Sequence, residues 1–414
     1  MPQRVILHSD MNNFYASVEC LHNPQIRDKP VAVCGDPAAR HGIVLAKNYH
    51  AKKFGITTGE AIWQARQKCP NLVVMPPDYP KYLKFAKMAR EIYADYTDQI
   101  EPFGLDEAWL DVTGSATVRG NGESIANEIR QRVKDEIGLT GSVGVADNKI
   151  FAKLGSDMKK PDATTVITRQ NFKETVWRLP VEELLYVGRS TRHKLFLYNI
   201  VTIGDLANCD RKLLHANLGK WGETLWTFAN GYDQSPVMCM GEESVIKSIG
   251  NSTTTPRDLV NENDVKMTMC VLAESVAARL REHGLKCRTV QIHVRDNTMG
   301  MFERQGKLTR PSQLSSEITA LAMSLFRANY RWDKPIRSLG VRGADLASAN
   351  GDRQLSFIPD DQREEKGIQL ERTVDDIRRR FGHFSIQKAL MLTDRKLTSL
   401  NPKDDHVIHP QSYF

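Results

Sequence analysis

Long apolar runs are missing from this chain. No stretch of its 414 residues approaches the roughly 18 consecutive apolar residues of a membrane span, and nothing resembling a signal peptide precedes Val5-Ile-Leu7. Cysteine is sparse and without pattern: Cys20, Cys34, Cys69, Cys209, Cys239, Cys270 and Cys287 include no C-x-x-C pair. That excludes a disulfide framework or a thiolate zinc site as the organising device and implies reduced thiols. Neither sign of charge dominates, with 57 Lys and Arg against 50 Asp and Glu and a net charge of +7. The balance is compatible with a polyanionic partner without requiring one. With 41% hydrophobic and 26% charged residues, the expectation is a soluble, cytoplasmic, monomeric protein with no membrane contact. Its length supports two or more separate cores.

What is present centres on Phe103-Gly-Leu-Asp-Glu-Ala-Trp-Leu-Asp-Val-Thr113. Two adjacent acids, Asp106 and Glu107, stand where a turn meets an alternating strand pattern in which Ala108, Leu110 and Val112 share one face. Neighbouring strand side chains point to opposite faces, so the two acids share a ligand only if the chain bends. Gly104, free to adopt positive φ, supplies a place for the bend. Far upstream, Arg4-Val-Ile-Leu-His-Ser-Asp10 reads as a buried strand ending in an acid, followed by the helix start Asn13-Phe-Tyr-Ala-Ser-Val-Glu19. Alone, each acid is a turn residue or a helix cap. Together, two strand ends would bring three hard oxygen ligands to one place, a set suited to Mg²⁺ shared with substrate phosphates.

Three segments carry a resemblance. His8-Ser-Asp-Met-Asn-Asn-Phe-Tyr-Ala-Ser-Val-Glu19, Phe103-Gly-Leu-Asp-Glu-Ala-Trp-Leu-Asp111 and Asn148-Lys-Ile-Phe-Ala-Lys-Leu-Gly-Ser-Asp-Met-Lys-Lys-Pro161 are similar, in the same order, to motifs of the Y-family (translesion) DNA polymerases. The bacterial DinB (DNA polymerase IV-like) and UmuC-like branches are nearest. Val187-Gly-Arg-Ser-Thr191 and the long C-terminal region lean toward the latter. The resemblance implies template-directed, low-fidelity DNA synthesis past damaged bases, on primer-template DNA with deoxynucleoside triphosphates. Asp10, Asp106 and Glu107 would be catalytic and, with the Met11 carbonyl, hold two Mg²⁺ ions, for which Mn²⁺ can substitute. Phe14, Tyr15, Tyr49, Lys52 and Lys160 would face the incoming nucleotide, Tyr15 as the steric gate beneath its sugar. The family commonly has Arg where Lys52 stands; Lys supplies a point charge without the bidentate fork. Two other classes stay open, a catalytically inactive DNA-binding relative and a different two-metal enzyme, such as a cyclase, on a similar palm.

The fold class that follows is multidomain α+β. A ferredoxin-like palm (1–30 and 78–165) would carry the acids and a small fingers domain (31–77) the nucleotide contacts. A helical thumb with a helix-hairpin-helix (166–240), an α+β little finger (241–345) and a C-terminal tail (346–414) would follow. Strand, helix, hairpin, helix, strand is the split βαβ order. Glu242–Asp258 reads as a polar connector, 267–283 and 311–330 as helices, and 289–295 and 336–342 as strands. DNA contacts are expected at Lys149, with Asn148 beside it, at Gly188 and Arg189 of the thumb turn, and at Lys247, Ser248, Arg288, Arg295, Arg310 and Arg342. Residues 348–352 read as disordered and 371–381 as a helix without an assigned role. Gln354, Leu355 and Phe357 resemble the short peptide by which bacterial polymerases bind the sliding clamp.

Overall fold

The computed structural model of the chain describes residues 4–402, apart from 39, 41, 243, 244 and 350–359. It divides into two compact units, one made chiefly of Met1–Gly35 and Ile43–Glu243, the other of Asp36–Gly42 and Ser244–Val407. All seven cysteines are free thiols. Among the described residues no helix is long and apolar enough to cross a membrane.

In the first unit a five-stranded sheet runs Ile100–Phe103, Glu107–Asp111, Ile6–Met11, Gly141–Ala146, Thr164–Val166. The first four strands are antiparallel neighbours and the fifth adds in parallel. With the helices Tyr79–Ala94 and Gly122–Arg132 in the crossovers, this is the ferredoxin-like order. The central strand Ile6–Met11 is buried along its whole length because both faces are covered: Leu7 belongs to one apolar core and Ile6 to another. A strand covered on both sides reads as an unbroken apolar run rather than an alternation.

The helix Lys149–Met158 lies against this sheet. Asn148 caps it by accepting a hydrogen bond from the Phe151 N–H at 2.8 Å. Gly144 on the strand permits the close approach, since a Cβ there would stand 1.9 Å from the Ala152 carbonyl oxygen. A smaller three-stranded sheet, Val44–Lys47, Val31–Cys34 and Val73–Met75, has its own core with the helices Tyr49–Lys52 and Ile62–Lys68. Beyond Thr164–Val166 the chain is helical, with Arg189–Phe196, Ile203–Asn208, Arg211–Leu218 and Lys220–Ala229.

The second unit is a four-stranded antiparallel sheet ordered Met301–Ser312, Leu285–Asp296, Ile336–Ser348, Ser248–Leu259. Two of its strands depart from the sequence reading: Ser248–Leu259 falls within the stretch taken as a connector, and Met301–Ser312 was not expected. Both are edge strands. Ser248–Leu259 turns threonines rather than aliphatics inward at 253 and 255, and Met301–Ser312 offers the core little beyond Phe302 and Leu308. Neither shows the apolar alternation by which a strand is recognised. The helices Glu262–Glu282 and Ser315–Asn329 pack on one face, the first starting earlier than expected because Asn261 caps it.

The segment expected as a tail joins this domain. Ser348 ends a strand and the Ala349 N–H donates to the Gly284 carbonyl at 2.7 Å, so the disorder expected from 348 does not begin there. The helix Asp360–Phe381 docks on Glu262–Glu282 through the buried Arg281, which donates to Asp375 at 2.7 and 2.9 Å and to Glu371. Arg378 donates to Glu274 at 2.9 Å, and Met391 and Leu397 are buried beyond it. The clamp-peptide residues Gln354, Leu355 and Phe357 lie outside the described residues.

Candidate active site

Register delivers the acids. Asp10 pairs across the sheet with Glu107 on one side and Ser142 on the other. Glu107 is the first residue of its strand, and Asp106 sits just before it in the turn opened by Gly104 at φ +80°. The Met11 N–H donates to the Asp106 carbonyl at 3.0 Å, pinning the turn to the end of the central strand. The bend that the adjacent acids required is therefore there, and two strand ends bring Asp10, Asp106 and Glu107 into mutual electrostatic contact.

That contact shows in their acidities. Burial first, and then the charges of Asp10 and Glu107, push the Asp106 carboxyl up to about 7. Burial and Glu107 likewise raise Asp10, against the pull of Lys153 and Lys160. Burial acts to raise Glu107 too, yet His8 and Lys153 beside it outweigh that and draw it down to about 2. Two ammonium groups hold the cluster. Lys153 Nζ lies 2.8 Å from Glu107 Oε2, 3.3 Å from Asp10 Oδ2 and 3.1 Å from Asp157 Oδ2. Lys160 Nζ lies 2.7 Å from Asp10 Oδ2 and 2.9 Å from Asp157 Oδ1.

His8 forms the floor. Its ring is fully buried, Nδ1 is 2.9 Å from Ser156 Oγ, and Nε2 is 3.3 Å from Glu107 Oε2. Ser156 Oγ is also 2.7 Å from the Lys153 carbonyl, to which it donates its one proton. Nδ1 then donates to the serine, and Nε2 faces the Glu107 carboxylate. Both His8 Nε2 and Glu107 Oε2 are buried without a hydrogen-bond partner. The charge facing the Glu107 oxygen is the Lys153 ammonium at 2.8 Å. A hard divalent cation beside Glu107 would satisfy that oxygen, and an all-oxygen donor set is the chemistry such ions prefer. Among the described residues, however, no three ligating side chains already close around a single ion position.

The nucleotide-facing candidates divide by environment. Tyr15 is half-buried and stacks on Tyr82 with centroids 4.3 Å apart and planes 12° from parallel, while Tyr79 meets it edge-on. Burial and then the Asp106 charge raise its hydroxyl pKa, so the ring stands within reach of the acids. Tyr82 is fixed from behind, its hydroxyl donating at 2.9 Å to the buried Glu19, which Lys81 also bridges at 3.1 Å to both oxygens. Phe14 points into the core. Tyr49 and Lys52 belong to a short helix capped by Asn48. Tyr49 is raised by burial and also feels Lys160 and Asp10, whereas Lys52 is exposed, 5.8 Å from the Tyr49 ring centre.

Lys149 and Asn148 need correcting. The Lys149 side chain is buried, its Nζ 2.6 Å from Glu101 Oε1 and 4.6 Å from the centre of the Trp109 ring, and Trp109 Nε1 donates to the Lys149 carbonyl at 2.9 Å. It locks a helix to the hairpin and offers no free charge to a phosphate. Asn148, fully buried, is spent as the helix cap. The sequence reading also gave no role to Lys153, Asp157, His8 or Ser156. The 153, 157, 160 spacing, one turn of helix apart and alternating in sign, was the available signal for the first two.

Gly188 and Arg189 are exposed at the start of a helix whose first turn lacks a side-chain cap. In the second unit Lys247 and Ser248 are exposed. Arg342 is exposed and lies opposite Gln291 and Gly250, while Arg295 lies opposite Ser338. By strand alternation both arginines face away from Val290, Ile292, Leu339 and Val341, which fill the core. They border a shallow depression of about 300 Å³ with His293 and Glu303. Arg288 is exposed at a break in the strand pairing, and Arg310 pairs with Glu317 at 3.4 Å. Within the second unit, register puts Ser248, Arg295 and Arg342 on the sheet face turned away from the core.

Comparison with known proteins places these features. Residues 9–157 match the impB/mucB/samB family model and 246–357 the model of that family's C-terminal domain. A protein of Acetivibrio thermocellus named DNA polymerase IV is 55% identical over 96% of this chain and 100% of its own length. One of Clostridium kluyveri with the same name is 35% identical over 95% of this chain and 99% of its own. DNA polymerase IV 2 of Bacillus subtilis is 36% identical over 95% and 96%. Among solved structures, a Y-family DNA polymerase chimera superposes with a TM-score of 0.71 at 24% identity, covering 83% of this chain and 99% of that one.

Proposed function

The chain belongs to the impB/mucB/samB family, the Y family of DNA polymerases, on its DNA polymerase IV branch, and from that footing we propose how its residues carry out template-directed DNA synthesis. The lean toward the UmuC-like branch is withdrawn, because a relative matched along its whole length, C-terminal region included, bears the name DNA polymerase IV. The enzyme is a DNA-directed DNA polymerase that extends a primer past damaged template bases, with a divalent metal as cofactor. We assign that metal as Mg²⁺, with Mn²⁺ able to replace it, and the working state as a cytoplasmic monomer engaging a sliding clamp through Gln354, Leu355 and Phe357.

The observation that supports the assignment of the site is the convergence of Asp10, Asp106 and Glu107 from two distant segments, with an oxygen of Glu107 lacking a hydrogen bond. Those carboxylates and the Met11 carbonyl would hold two divalent ions, which lower the pKa of the primer 3′-hydroxyl and offset charge on the pyrophosphate. The protein's own groups do the rest. His8, held by Ser156, lines the site behind Glu107. Lys160, a quarter exposed and paired with Asp10 and Asp157, would turn toward the triphosphate, with Tyr49 near it. Tyr15, backed by Tyr82 and Tyr79, presents a rigid ring to the sugar. Primer extension past defined lesions tests the reading, wild type beside Asp106→Ala/Glu107→Ala. A double variant that still extends primers in Mg²⁺ removes the assignment.

A further inference from the structure

Lys153 is one of two cations among the acids, and the one that reaches both Asp10 and Glu107. Its ammonium touches Glu107, Asp10 and Asp157 at 2.8, 3.3 and 3.1 Å, and its side chain is only 12% exposed. It rises from a helix whose backbone is pressed on the sheet at Gly144 and Gly155, so the root of the side chain is fixed. Of the three acids Glu107 lies nearest to it, and Asp10 Oδ2 is shared with Lys160. Asp157, one helical turn along, is a carboxylate outside the proposed metal set, and it also holds Lys160 through its other oxygen.

We propose that Lys153 is a built-in placeholder for the divalent metal: it holds Asp10 and Glu107 together in the metal-free enzyme and retires to Asp157 when the ion enters. Three carboxylates gathered without a cation repel one another. A cation on a covalent tether prevents Asp10 and Glu107 from splaying. The same ammonium then opposes the incoming ion, both by occupying the space between Glu107 and Asp10 and by repelling its charge. Asp157 makes the exchange inexpensive, since Lys153 keeps one full ion-pair partner throughout. The inference rests on the assignment of Asp10, Asp106 and Glu107 as metal ligands, and its test separates the two.

The test is Mn²⁺ binding to the full chain, without DNA or nucleotide, followed by electron paramagnetic resonance. Wild type is compared with Lys153→Met, Lys153→Arg and Asp106→Ala, and thermal unfolding is followed with and without the ion. Lys153→Met should bind Mn²⁺ roughly tenfold or more tightly than wild type, as removal of a like charge within a few ångströms implies. Its metal-free form should melt lower, and saturating Mn²⁺ should close most of that gap. Lys153→Arg, which keeps the charge, should bind no better than wild type. Equal or weaker Mn²⁺ binding by Lys153→Met, with Asp106→Ala binding lost, overturns the placeholder role and leaves the metal site standing. Unchanged binding in Asp106→Ala overturns the site assignment itself. Should Lys153→Met fail to fold, Lys153→Gln carries the same comparison.

Discussion

Charge is concentrated and buried at the Asp10 cluster, spread and solvated on the open sheet face that carries Arg295 and Arg342. At the cluster, acids and ammonium groups from three elements crowd within ion-pair distance and shift one another's acidities. On the sheet face the arginines sit on separate strands, each meeting solvent. The difference matches the separate roles proposed for the two surfaces. Crowded charges cost a great deal to assemble and act on one bond; dispersed ones cost little and hold a long polyanion loosely, without reading its sequence. Removing one member should then be disastrous in the first region and mild in the second.

The sharpest break in that comparison is at Asp10. Asp10→Asn removes one of the converging carboxylates while keeping its shape, and single-turnover primer extension should fall by roughly 10³-fold or more, with DNA affinity little changed. A drop of only a few-fold would mean that the cluster is organised like the sheet face after all.

Next comes the ring beside the acids. Tyr15→Ala should relax discrimination against ribonucleotides by about 10- to 100-fold, the range that relief of a steric overlap of roughly 1–3 kcal/mol allows. The ratio of kcat/KM for matched deoxy and ribo substrates measures it. The stack on Tyr82 implies that the ring is held still, so Tyr15→Phe should retain the selectivity. An unchanged ratio in Tyr15→Ala would take the ring out of sugar selection.

Crowding also predicts a pH signature. The Asp106 carboxyl stands at about 7 in the fold against an ordinary 3.8. Between those values the folded state binds more protons than the unfolded one, so this group makes metal-free stability fall as pH rises from about 4 to about 7. Glu107, drawn down to about 2 from 4.5, acts in a separate and more acid window, where its contribution is lost as pH falls. Denaturant unfolding in a chelator, pH by pH, should show the decline from 4 to 7, and Asp106→Asn should flatten it. A slope identical in the two proteins would show that burial and the neighbouring acids do not raise the Asp106 carboxyl.

The two regions were also unequally legible in the sequence. Asp10 and Asp106-Glu107, each ordinary alone, stood out because together they make one hard-oxygen set within family-like motifs, and Gly104 marked the bend beside the pair. The palm order followed from strands and helices with strong periodicity. Strands 248–259 and 301–312 escaped because edge strands with polar outer faces carry little apolar alternation. Lys149 was misplaced because sequence shows a lysine's charge but not its burial against Glu101 and Trp109. Lys153 and His8 went unassigned for the complementary reason: their role depends on which acids end up opposite them, which only the register of three strands and a helix determines.

The smallest effect belongs to the dispersed face, and it is the more discriminating for being small. Each arginine that neutralises one DNA phosphate adds about 0.9 to the slope of log affinity against log salt. Arg342→Ala should therefore weaken binding to any duplex only several-fold at moderate salt and lower the slope by about one. Arg295→Ala should do the same, with the double variant close to additive, since the two lie on neighbouring strands in different rows. Arg310→Ala should change the slope less, because that side chain already has Glu317 beside it. Fluorescence anisotropy across a salt series reads all of these at once. If Arg342→Ala instead abolished binding, or weakened one DNA sequence and spared another, the face would be a concentrated, base-reading site and the contrast with the carboxylate cluster would fail.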